Sequence, residues 1–70
     1  MLVDDIAEVE TAIKKVLEKA RLAHHRVMRE TEDGSHKSAL ALMELCNRSL
    51  AQAGDAARYA RHNLGREEKL

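Results

Sequence analysis

The chain has 70 residues, with 12 Lys or Arg against 12 Asp or Glu, so no net charge draws it toward nucleic acid or an anionic membrane. A length of this order holds one domain, and a domain so small completes its core with disulfides, a metal or a partner chain. Cys46 is the only cysteine, which excludes an internal disulfide and points to a reducing, cytoplasmic setting.

Proline is absent, Tyr59 is the sole aromatic, and Ala, Leu, Glu, Lys and Arg are plentiful, a composition that fits an all-α protein. The opening segment MLVDDIAEVE lacks the basic flank of a signal peptide, and no apolar run is long enough to cross a bilayer. We therefore expect no contact with a membrane.

The first predicted helix covers residues 5–31. Leu2, Ile6, Val9, Ile13, Val16, Ala20, Ala23 and Val27 alternate in steps of four and three, the seam of a heptad repeat. Asp5 with Glu8 resembles a capping box, and acidic residues early with Arg26 and Arg29 late complement the helix dipole. The turn falls at 31–35 (TEDGS), with Gly34 suited to a left-handed conformation and Ser35 to the N-cap of the second helix.

The second predicted helix covers 35–64, with its seam at Ala39, Met43, Cys46, Leu50, Ala53, Ala57, Ala60 and Leu64. That register passes through Gly54 without a skip, which favours one continuous helix. The competing reading makes Gly54 a C-cap and Asp55 an N-cap, giving three helices. GREEKL (65–70) is expected to fray. Folding the chain at 31–35 sets Val9 against Ala57, Ile13 against Ala53, Val16 against Leu50 and Ala20 against Cys46, large mostly against small. It also places Asp5 beside Arg61, Glu8 near Arg58 and Ala12 beside Gly54. The expectation is a single domain, 1–70, built as an antiparallel two-helix hairpin that dimerises into a four-helix bundle.

Beside this seam a second apolar set lies on one flank. Val3, Leu17, Met28, Leu42, Leu45, Ala56 and Tyr59 are the expected dimer interface. Arg21, His25, Arg26 and Arg29 are exposed candidates for contact with a second partner. His24, His25, His36 and Cys46 are metal-binding residue types. Adjacent histidines on a helix point about 100° apart, however, and no HExxH pattern is present, so neither a metal nor a cofactor is expected. No Ser/His/Asp constellation or phosphate-cradling glycine loop appears, and the chain reads as a non-enzyme. The expected function is protein–protein interaction, as a homodimeric regulator, inhibitor or adaptor acting on a larger partner protein. The alternative is a dimeric bundle that binds structured RNA or DNA through Lys14, Lys15, Lys19, Arg21, Arg26 and Arg29.

Overall fold

The computed structural model describes residues 1–68, which form two α-helices and no strand: α1, Leu2–Glu30, and α2, Lys37–Glu68. The helices pack against each other as a hairpin. No helix among the described residues is long and apolar enough to cross a membrane.

α1 begins earlier than its sequence suggests. The Met1 carbonyl accepts from the amides of Asp4 (3.1 Å) and Asp5 (3.2 Å), and no side chain caps the end. Asp5 and Glu8 are thus already helical and make no capping box. At the other end the amide and hydroxyl of Thr31 both donate to the Val27 carbonyl, at 3.0 and 2.6 Å. Gly34 takes the expected left-handed conformation at φ 85°, and its amide donates to the Thr31 carbonyl. The Ser35 amide donates to Asp33 Oδ1 at 2.9 Å. Hydrogen bonds from the Ser35 side chain and then its amide hold the Asp33 carboxyl below the usual carboxylate range. Ser35 is therefore committed to the turn and is not the N-cap. That place falls to His36, at φ 54°, whose carbonyl accepts the Leu40 amide.

α2 runs unbroken through Gly54–Asp55, which removes the three-helix reading, and it continues to Glu68. Residues 65–68 are helical rather than frayed, while 69 and 70 lie outside the described residues.

The seam itself differs from the expected one by a rotation. The half-buried or buried residues of α1 are Val3, Ile6, Glu10, Ile13, Leu17, Ala20, His24 and Val27, with Ala7 at the edge. In α2 they are Leu40, Met43, Asn47, Leu50, Gly54, Ala57, Arg61 and Leu64, with Ala51 and Gly65 at the edge. Half of each expected seam is retained. The other half, Leu2, Val9, Val16 and Ala23 with Ala39, Cys46, Ala53 and Ala60, is exposed. Replacing alternate seam positions by their neighbours turns each helix by roughly 50° about its own axis. Ile13 accordingly faces Gly54, and not Ala53.

Two contacts explain the choice of rotation. Arg61 Nε donates to Glu10 Oε2 at 2.7 Å across the seam, and the missing side chain of Gly54 admits Ile13. The expected Asp5–Arg61 and Glu8–Arg58 neighbours give way to Glu10–Arg61, while Arg58 pairs with Asp55 on its own helix at 3.7 Å.

The hairpin is a rod, 57 × 14 × 10 Å, with a radius of gyration of 16.2 Å. A compact domain of this length would have about 11 Å. No apolar side chain is buried among the described residues. The only buried residues among them are Glu10 (6% exposed) and Thr31 (8%).

A Cβ placed on Gly54 would lie 3.4 Å from Ile13 Cγ2, an ordinary van der Waals contact. Gly54→Ala should therefore be accepted and should stabilise the helix by about 0.5–1 kcal/mol, since it removes a mid-helix glycine. Gly54→Leu should force the helices apart and destabilise by about 1–3 kcal/mol. Thermal unfolding followed by circular dichroism checks both. A lower Tm for the alanine variant would mean that the seam is too tight even for a methyl group.

Candidate functional site

The seven residues expected to form one dimer interface do not share a face. Val3 and Leu17 are half-buried in the intramolecular seam, opposite α2. Met28, Leu42, Leu45, Ala56 and Tyr59 are exposed, but Met28 lies on the side of α1 that carries Lys14 and Arg21, away from the flank where Leu42 and Ala56 lie. The rotation of the helices draws Val3 and Leu17 inward and sends Val9 and Val16 out, whereas Met28 and Leu42 fall on opposite sides of the seam under either rotation because the two helices run in opposite directions.

Arg21, His25, Arg26 and Arg29 are all exposed, as expected. They do not act as one patch either. Arg26 and Arg29 border a shallow concavity with Glu30 near the turn. Arg21 lies along a different flank, in a cleft with Lys14, Leu17, Ala51, Asp55 and Arg58. Lys19 and Arg26 each follow Lys14 and Arg21 by five residues, which turns them about 140° around the helix. The basic residues of α1 therefore wrap around it and form no single stripe.

Sequence reasoning missed the polar members of the seam. Glu10 accepts from Arg61 Nε and lies 4.0 Å from Lys14 Nζ. The Arg61 hydrogen bond is the main cause holding the Glu10 carboxyl below the ordinary glutamate range, aided by the charges of Arg61, Lys14 and Arg58, while partial desolvation opposes it. Nearer the turn, His24 Nε2 lies 3.9 Å from Glu44 Oε1, too far for a hydrogen bond. His24 Nε2 and the Asn47 Oδ1 atom are both buried without a hydrogen-bond partner. Each helix thus interrupts its seam twice with polar residues, at 10 and 24 and at 47 and 61. The signal was present as that fourteen-residue spacing on both helices.

Among the described residues no three His, Cys, Asp or Glu side chains come together as a metal site. The clefts described above, beside Arg26 and Arg29 and between Lys14 and Arg58, are open and shallow. What the hairpin offers is apolar surface. Leu2 is 65% exposed, Val9 52% and Val16 50%, and Leu42, Leu45 and Tyr59 are similarly open. Comparison with known protein families, curated proteins and solved structures finds no match for this chain.

A carboxyl whose folded pKa is depressed contributes stability that is present above its unfolded value, about 4.3, and lost as pH falls through the folded one. Arg61→Ala should therefore lower Tm at neutral pH, and the gap from the wild-type chain should close as pH drops below about 4. Melts of both proteins at several pH values check this. A gap that stays constant with pH would assign the loss to packing of the arginine stem instead.

Proposed function

We propose that the protein is a non-enzymatic interaction module, a regulator, inhibitor or adaptor that works by occupying a surface of a larger protein, and that it does so as a homodimer. The observation that carries this reading is that no apolar side chain is buried among the described residues of a helical hairpin whose exposed surface includes Leu2, Val9, Val16 and Leu42. Two hairpins joined through such surface form a four-helix bundle, which gives each helix a second neighbour and a true interior. The open clefts and the lack of a paired nucleophile and base among the described residues argue against catalysis. A single exposed thiol, Cys46, fits the reducing conditions of the cytoplasm.

Protein is favoured over nucleic acid as the partner because the basic residues of α1 are dispersed around the helix and part of their charge is answered locally, as by Glu10 at Lys14. Recognition of a phosphate backbone calls for a contiguous basic surface.

Native mass by light scattering tests the reading. We expect a dimer over a wide range of protein concentration, little changed between about 50 mM and 500 mM salt, because apolar association is weakly screened. A folded monomer throughout would overturn the homodimer. Binding to a short RNA or DNA duplex that falls steeply with salt would instead identify a phosphate-binding protein.

A further inference from the structure

We infer that a second copy of this chain is seated on one particular flank of the hairpin, the one that carries Leu2, Val9 and Val16 of α1 beside Leu42, Cys46 and Ala53 of α2. This deepens the proposal above and rests on its homodimer. The assignment comes from which residues each flank of the seam holds. In an antiparallel pair the two sides of the seam are distinct. One side is fixed by the cleft that Lys14 and Arg21 share with Ala51 and Arg58. The residues that flank the seam on the opposite side are then Leu2, Val9, Val16 and Ala23 from α1, and Ala39, Cys46, Ala53 and Ala60 from α2.

The first flank carries Lys14, Arg21, Glu44 and Arg58, whereas the columns that border the seam on the second are apolar, with Asp5, Lys19 and Arg26 outside them at the rim of α1. On α2 the apolar strip is widened by Leu42 and Ala56, which come three residues after Ala39 and Ala53 and so lie beside them. The outward columns of the two helices are also complementary in size, valine on α1 and alanine on α2, so a facing copy can interdigitate.

The area argues for a second copy as the occupant. The chain exposes 5646 Å², whereas a compact monomer of 7.9 kDa exposes about 4,400 Å². The excess is about 1,200 Å² per chain, or about 2,400 Å² for two, within the range that obligate homodimers bury. A short peptide covering only part of the flank would leave much of that excess in water. The chain's net charge of zero lets two copies approach without overall repulsion.

Cys46 is exposed in the single hairpin and lies on this flank, so the wild-type protein carries its own probe. Its alkylation by iodoacetamide should slow on the order of tenfold or more as concentration is raised through the monomer–dimer transition seen by light scattering. The double variant Val9→Glu/Val16→Glu should weaken association at least about 100-fold, while Met28→Glu, on the other side of α1, should leave it unchanged. A dimer in which Cys46 reacts at the rate of the dilute chain, or which survives the double substitution, would overturn the flank assignment and leave the homodimer standing. A wild-type chain that is folded and monomeric at every concentration would overturn both. The alkylation result decides the assignment even if the double variant loses its helicity.

Discussion

A helix with a single neighbour can turn only a narrow strip of its surface away from water. Withdrawing a side chain completely takes packing atoms on several sides, and a pair of helices supplies them on two at most. Every apolar residue in this seam is accordingly half-buried at best, however regular its spacing. The most covered long side chain is instead a charged one, Glu10, whose carboxylate accepts from the Arg61 guanidinium at 2.7 Å and has the Lys14 ammonium 4.0 Å away. That limit accounts for the rod-like shape, for the weakly enclosed clefts and for the amount of apolar surface left in water.

The same limit separates the features legible in the residues from those that are not. Helical class, the turn at Gly34 and continuity through Gly54 come from local rules of propensity, backbone sterics and period, and all three hold in the structure. The rotation of the helices does not come from local rules. Each helix carries three adjacent columns at heptad spacing, and any neighbouring two satisfy the alternation of three and four. On α1 the column Leu2–Val9–Val16–Ala23 is uniformly apolar, whereas Val3–Glu10–Leu17–His24 is half polar. Apolar counting therefore selects the first, and the structure closes on the second. Glu10 meets Arg61 across the seam, a pairing that hydropathy alone does not register, while His24 stops 3.9 Å short of Glu44.

The difference in rotation carries directly into the surfaces. Placing Val9 and Val16 inward puts Val3 and Leu17 outward, and one rotation of α1 about its axis exchanges the two pairs. The residues of α2 are less sensitive: Leu42, Leu45, Ala56 and Tyr59 are exposed here, and the expected rotation would bring Leu42 and Ala56 to the border of the seam without entering it. The helix ends depart from expectation for a different reason. A cap made by the Met1 carbonyl alone leaves no mark in residue identity, and Ser35 spends its amide on Asp33 instead of starting α2.

Glu10 and Arg61 are separated by 51 positions in the chain and joined by one 2.7 Å hydrogen bond. The whole reversal lies between them. Adding or deleting one residue inside either helix, between residue 10 and the turn or between the turn and residue 61, swings the far partner through about 100° and shifts it about 1.5 Å along the axis. The pair then cannot meet, and a carboxylate is left against an apolar strip. The bond thus gauges the length of everything it encloses, so single-residue insertions and deletions in the helices should be far less tolerable here than substitutions on the outer faces.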